Sequence, residues 1–283
     1  MIGAIRRRQK VLGSHLGQGR SGSFPTVETE AMMGVLARAV AAVKSALAGL
    51  VDWGPAGTRA GQYRSDLVAD RAALEVLTGA GMSVLSEESG ITEVAGSRLL
   101  AVLDPLDGST NASRGIPWYA TSICVLDAAG PVASMVVNLA GGACYRAVRG
   151  GGAERDGKQL RTSRCRDLAS SIVGISGFPR RYLGWKQFRA LGAVALDLCA
   201  VADGTLDGYV DFGRDAHGAW DYLGGALVCS EAGGLVLDAD GRDLVVRNHE
   251  ERRAPVAGAT REVTEALVAA RAGGDEGGQH RRA

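Results

Sequence analysis

The 283-residue chain has few of the features that would mark it as stapled, membrane-spanning or built to bind polyanions. Its five cysteines (Cys124, Cys144, Cys165, Cys199 and Cys229) are odd in number, scattered and never in C-x-x-C spacing, which excludes a disulfide framework and a cysteine-rich zinc site. Charge of one sign is also missing: 32 basic residues stand against 31 acidic ones, net +1, so nothing global calls for a nucleic-acid or membrane partner. No apolar run approaches the roughly 18 residues of a membrane span. The basic start, MIGAIRRRQKVLGSHL, lacks the apolar segment of a secretory leader. What is present is 46% hydrophobic content, enough for a sizeable core. The expectation is a reduced, cytoplasmic globular protein.

Residues 1–27 are basic, rich in glycine and serine and without periodicity, so they are expected to form a disordered extension, with the folded domain over 28–271 and a flexible tail over 272–283. The extension contains GQGRSG (17–22), a formal match to a dinucleotide fingerprint. It has no strand before it and Ser-Phe-Pro after it, which rules the match out. Apolar spacing predicts a long helix over 26–50 and a shorter one over 70–81 with Asp70 at its start. Strands are expected at MSVLS, at RLLAVLD and then in a meander through YATSICVLDA and VASMVVNLA. Further on, WDYLGGALVCSEAGG reads as a helix closed by Gly233-Gly234, LVLD and PVAGAT as strands, and 261–271 as a last helix. Strand runs with interspersed helices indicate mixed α/β layers.

The stretch VLDPLDGSTN (102–111) is the most informative. An apolar strand runs into Asp104-Pro105-Leu106-Asp107, and proline, lacking an N–H, should end the pairing there. Two carboxylates three positions apart around that turn can converge, with the Leu106 carbonyl between them. Oxygen ligands without His or Cys suit a hard cation such as Mg²⁺. Gly108 allows close backbone approach, and Ser109, Thr110 and Asn111 offer hydroxyls and N–H groups to an anion. Other acids are placed to join them: Glu87 and Glu88 at a strand exit in LSEES, Asp221 in the first turn of the helix in AWDYLGG, and Asp70. Taken singly, each has a plain structural reading as a solvated turn or a helix-start acid. His217, four residues before Asp221, reads as a surface-loop histidine.

Together, D-P-L-D-G-S-T-N (104–111), S-E-E (86–88) and W-D-Y-L-G-G (220–225), in that order, resemble the inositol monophosphatase family of Mg²⁺-dependent, lithium-sensitive phosphatases. The segment from Arg189 to Gly213 adds to the likeness, which covers about residues 28–270. The resemblance implies a layered α-β-α-β-α sandwich of the sugar-phosphatase type, a homodimer, and two or three Mg²⁺ ions. It implies metal binding by Glu87, Asp104, the Leu106 carbonyl, Asp107 and Asp221, with Glu88 behind a weaker metal. Phosphate and substrate would be held at Gly108, Ser109, Thr110, Gly192 and Asp211. Asp70 would pair with the Ser109 hydroxyl to activate the attacking water, with Glu87 also among the catalytic groups.

The chain departs from the family pattern before Asp70, where Leu67-Val68-Ala69 lacks the usual threonine, so Asp66 competes for that role. Arg64 is the nearest counterpart of a family lysine, Asp215 competes with Asp211, and Gly192-Ala193-Val194 lacks a hydroxyl. The leading expected activity is hydrolysis of inositol monophosphate. Alternatives are the phosphatases of histidinol phosphate, 3'-phosphoadenosine 5'-phosphate and fructose 1,6-bisphosphate, and, in another class, a non-catalytic metal-dependent binding or regulatory subunit. The expected partner is a small phosphorylated substrate, with neither nucleic acid nor membrane.

Overall fold

The computed structural model describes residues 27–59, 61–213 and 216–275. Almost all of the expected N-terminal extension, including GQGRSG, lies outside these residues, as do Asp215 and residues 276–283.

Helix α1 (Val27–Ala48) buries a stripe of Met33, Leu36, Ala39, Val40, Val43 and Leu47, which lie on one helical face. By length and hydropathy it could cross a membrane, contrary to the expectation of no such run. Here its stripe packs instead with α2 (Arg64–Gly79) and one face of a sheet. That sheet is formed by β1 (Ser83–Ser86), β2 (Gly90–Thr92) and β3 (Leu100–Asp107), and, after short helix α3 (Ser109–Ser113), by β4 (Ala120–Asp127), β5 (Gly130–Asn138), β6 (Cys144–Val148), β7 (Gly152–Arg155) and β8 (Lys158–Gln159). Its order is β2-β1-β3-β4-β5-β6-β7-β8, with β1 and β3 parallel and every other pair antiparallel.

The chain then makes β9 (Ile172–Ser176), β10 (Gln187–Arg189), α4 (Val194–Ala202), β11 (Gly208–Asp211), α5 (Ala219–Glu231), β12 (Leu235–Asp238), β13 (Pro255–Gly258) and α6 (Arg261–Asp275). These strands form a second sheet of order β10-β9-β11-β13-β12. Helices α4 and α5 fill the space between the sheets. Along β4 the alternation of side chains makes this visible: Ile123 and Val125 join the core under α1 and α2, while Cys124 and Leu126 join the core with α4 and α5. Both faces are covered, which explains why YATSICVLDA reads as nearly continuous apolar sequence. The central helices approach closely at Gly225, where a Cβ would stand 2.6 Å from the Ala195 carbonyl oxygen. On the far side, Val263 and Leu267 of α6 pack with Val173, Ile175, Val210 and Val256. The layers therefore run α-β-α-β-α, as the resemblance implied.

Three boundaries differ from expectation. Helix α2 starts at Arg64, six residues early, so Asp70 lies inside the helix and does not cap it. Strand β3 continues through Pro105 to Asp107, but its ladder with β4 shifts register between Asp104 and Asp107, which is where a residue without an N–H is tolerated. Helix α6 reaches Asp275, so residues 272–275 are helical and not tail.

Candidate active site

In strand β3 the register shift at Pro105 breaks the regular alternation between Asp104 and Asp107. The Thr121 hydroxyl donates to the Pro105 carbonyl at 2.9 Å, and the Leu106 N–H donates to Asp104 Oδ1 at 3.0 Å. Asp107 is turned toward the central layer, where the Ala195 N–H in the first turn of α4 donates to its Oδ2 at 2.7 Å. At Gly108 the backbone has φ +82, and a Cβ would lie 2.9 Å from the Trp118 carbonyl and 3.2 Å from that of Gly192, so the turn needs glycine. Asn111 then ties α3 to the segment before α4: its Nδ2 donates to the carbonyls of Trp118 (2.8 Å) and Leu191 (2.7 Å). Gly192 is thereby held beside Gly108.

Because β1 runs parallel to β3, it ends at the same edge of the sheet, and the Glu87 N–H donates to the Leu103 carbonyl at 3.2 Å. Asp221 enters from the third position of α5, its Oδ2 accepting the Gly218 N–H at 2.7 Å. One carboxylate oxygen from each of Glu87, Asp104 and Asp221 lies within 4.8 Å of the others. Burial, reinforced by Asp221, Glu88, Asp66 and Asp107, pushes the Glu87 pKa up to about 9. Burial and the neighbouring carboxylates also hold Asp104 and Asp107 well above the ordinary range. Oxygen donors alone, converging in a partly buried and mutually repelling set, fit a hard divalent cation.

Asp66 and Asp70 have different surroundings in the structure. Asp66 sits in the first turn of α2, its Oδ2 accepting the Tyr63 N–H at 2.8 Å, and its Oδ1 is buried without a hydrogen-bond partner. Burial raises its pKa to about 7, against the pull of the Tyr63 amide and the nearby Ser109 hydroxyl, while Glu88 adds to the rise. Asp70, one turn on, instead accepts the Ser86 hydroxyl at 2.5 Å, and Ser86 Oγ accepts the Glu88 N–H at 3.2 Å. The Ser109 hydroxyl therefore acts on the Asp66 carboxyl, while Asp70, through Ser86, braces the Glu87-Glu88 turn from behind. The early start of α2 is the physical reason.

Other expected positions also move. Arg64 pairs with exposed Asp52 at 2.6 Å, while Arg59, with Gln62, is the residue that reaches the Glu88 carboxylate (2.9 Å from Arg59). Thr110 is exposed, 3.3 Å from the Tyr63 hydroxyl. Asp211 is fully buried, with Oδ1 accepting the Gly213 N–H at 2.8 Å. Contrary to the surface-loop reading, the His217 side chain is only 13% exposed and sits between two carboxylates, Nε2 3.6 Å from Asp211 and Nδ1 3.5 Å from Asp221. Burial disfavours the charged ring, but Asp211 and Asp221 outweigh it and push its pKa up to about 10. Its spacing four before Asp221 was the only sequence signal. Trp118 donates its indole N–H at 2.9 Å to buried Asp197, a residue that sequence reasoning missed.

The profile of the inositol monophosphatase family matches residues 63–274. The chain belongs to the inositol monophosphatase family. Curated relatives in this family include an inositol-1-monophosphatase of Mesorhizobium japonicum, 35% identical over 66% of this chain and 76% of that protein. A fructose-1,6-bisphosphatase/inositol-1-monophosphatase of Archaeoglobus fulgidus is 36% identical over 64% of this chain and 71% of its own length. Nus factor SuhB of Pasteurella multocida is 34% identical over 62% and 71% respectively. Among solved structures, the extragenic suppressor protein suhB of Bartonella henselae superposes with a TM-score of 0.73 at 28% identity, covering 85% of this chain and 98% of that one. The inositol monophosphatase family is metal-dependent, which agrees with the partly buried carboxylate cluster.

Proposed function

We propose that the chain is a Mg²⁺-dependent phosphomonoesterase whose leading substrate is an inositol monophosphate. The observation that carries this reading is the convergence of Glu87, Asp104 and Asp221 beside the Gly108 turn. Glu87, Asp104, the Leu106 carbonyl, Asp107 and Asp221 would hold the cations, two or three in number. Bound there, they supply a water of lowered pKa and neutralise charge on the phosphate and leaving oxygen.

The chain's own groups do the rest. The turn at Gly108 and Ser109 offers N–H groups to the phosphate, and the tie from Asn111 keeps that turn against Gly192. Asp66, beside Ser109 and with one buried oxygen unpartnered, is the acid placed to accept the proton of the attacking water, in the role first expected of Asp70. His217 sets the orientation of Asp221, and Asp211 acts behind it and not on the substrate.

A second substrate reading, fructose 1,6-bisphosphate, draws support from the Archaeoglobus fulgidus relative, whose name carries both activities. The five unpaired cysteines support a reducing, cytoplasmic setting, and a homodimer is expected in solution. The test is phosphate release from inositol monophosphate, fructose bisphosphate, histidinol phosphate and 3'-phosphoadenosine 5'-phosphate, with and without Mg²⁺, using Asp104→Asn as control. Mg²⁺-dependent turnover lost in the variant upholds the reading. A folded, Mg²⁺-binding protein that turns over none of them would favour the non-catalytic alternative.

A further inference from the structure

The carboxylate cluster has two walls, one at the end of β1 and one at the start of α5, and a single segment between β12 and β13 touches both. On the first wall, His249 Nε2 lies 3.1 Å from the Glu87 carbonyl oxygen. A carbonyl only accepts, so Nε2 carries the proton. The Arg59 guanidinium reaches the same oxygen at 3.5 Å, a longer and weaker contact. On the second wall, the His249 ring lies against Trp220, the neighbour of Asp221, with ring centroids 4.6 Å apart and planes inclined by 31°. The Arg252 guanidinium stands 5.0 Å from the centre of the same indole. Arg253 closes the connection by an antiparallel bridge to His217: its N–H donates to the His217 carbonyl at 2.8 Å, and its carbonyl accepts the His217 N–H at 3.3 Å.

We infer that residues 248–253 form a strap that holds the two walls of the carboxylate site in register, and that His249 is a positioning residue for Glu87. The inference rests on the metal-site reading above. Its physical basis is that Glu87 lies just beyond the last residue of β1: its N–H still reaches the Leu103 carbonyl of β3, whereas its own carbonyl is met by the side chains of His249 and Arg59. A hydrogen bond to its carbonyl fixes the peptide plane and hence the direction in which the carboxylate leaves the backbone. Because His249 is seated on Trp220, that direction is referenced to the α5 turn carrying Asp221. Partners of this kind, one step removed from the metal, typically affect metal affinity by about 10–100-fold.

The test separates the ring's packing from its hydrogen bond. His249→Phe keeps an aromatic ring for Trp220 and removes the donor; His249→Gln removes the ring and keeps an N–H that can reach a carbonyl. Mn²⁺ binding to the full chain is followed by electron paramagnetic resonance, with thermal unfolding in EDTA to establish that each variant is folded. His249→Phe is expected to weaken Mn²⁺ binding by about tenfold and His249→Gln to remain within about threefold of the unaltered protein. In a Glu87→Gln background, His249→Phe should add no further loss, since its effect acts through Glu87. Unchanged binding in His249→Phe, a larger loss in Gln than in Phe, or an equal loss in the Glu87→Gln background each overturns the strap. Failure of the unaltered protein to bind Mn²⁺ overturns the metal-site reading and the strap with it.

Discussion

Two aspartates one helical turn apart on α2 have different partners beside the candidate site. Asp66 has a buried oxygen without a hydrogen-bond partner beside Ser109, and Asp70 is engaged by the Ser86 hydroxyl. Asp66→Asn keeps the shape of the side chain and its bond to the Tyr63 amide while removing its basicity. It is expected to lower kcat by about 10²–10⁴-fold, the usual worth of a positioned general base. Asp70→Asn should leave kcat within about tenfold and show its effect in a lower Tm, because it weakens a buried bond to a charged acceptor. Steady-state phosphate release at saturating Mg²⁺, with Tm alongside, checks both; a larger kcat loss in Asp70→Asn would return the role to Asp70. The sequence could pose this choice and could not settle it. The two residues share a helix face at i and i+4, and the decision depends on where the helix starts. That start is set by the Tyr63–Asp66 bond and not by a Ser, Thr or Asn signal. His217 escaped for a related reason, since its two carboxylate partners come from β11 and α5 and only the folded chain brings them together.

At the scale of elements, the part of the site most legible in the sequence is the part delivered by one continuous turn. Asp104 through Asn111 leave β3 and enter α3 within eight residues, so their types and spacing already carry the chemistry. What the turn rests against was legible only in part: the resemblance grouped Gly192 with Gly108, but the support that α4 gives Asp107 comes from far along the chain. Asn111 is the joint: it satisfies the carbonyls of Trp118 and Leu191 at once, tying α3 to the approach to α4, whose first turn in turn holds Asp107. Asn111→Ala leaves both carbonyls without that donor and is expected to cost about 1–3 kcal/mol of stability, seen as a lower midpoint in urea. It should also lower kcat/KM by at least tenfold, because Gly108 and Gly192 lose their common support. A variant with the stability loss but unchanged kcat/KM would show that the turn keeps its place without α4. The same logic accounts for Pro105, which on sequence grounds should end the strand. The ladder accommodates it by a register shift, and that irregularity sets Asp104 and Asp107 toward different partners.

On the scale of the whole molecule, the parallel pair β1 and β3 and the first turns of α2, α4 and α5 all end in one place, so the layered fold concentrates acids from four separate stretches of chain in its interior. Their cost without a cation makes stability depend on pH in a defined direction. A carboxyl whose pKa rises on folding binds its proton more tightly in the folded state. Its contribution is therefore fully present below the unfolded value and is lost as pH rises through the folded value. For Glu87 that window runs from 4.5 to about 9, Asp104 and Asp107 act in the same direction, and His217 adds a window from 6.5 to about 10. In EDTA, Tm is therefore expected to fall between about pH 5.5 and about pH 8.5. Mg²⁺ binds the deprotonated cluster, so the Tm increase it produces should be larger at the higher pH. Asp104→Asn, which removes one charge from the centre of the cluster, should reduce both the fall in EDTA and the response to Mg²⁺. Thermal unfolding of the two proteins at the two pH values, each with EDTA and with Mg²⁺, reads all of this at once. A Mg²⁺ response of equal size at both pH values, or one that survives in Asp104→Asn, would place the cation away from these carboxylates.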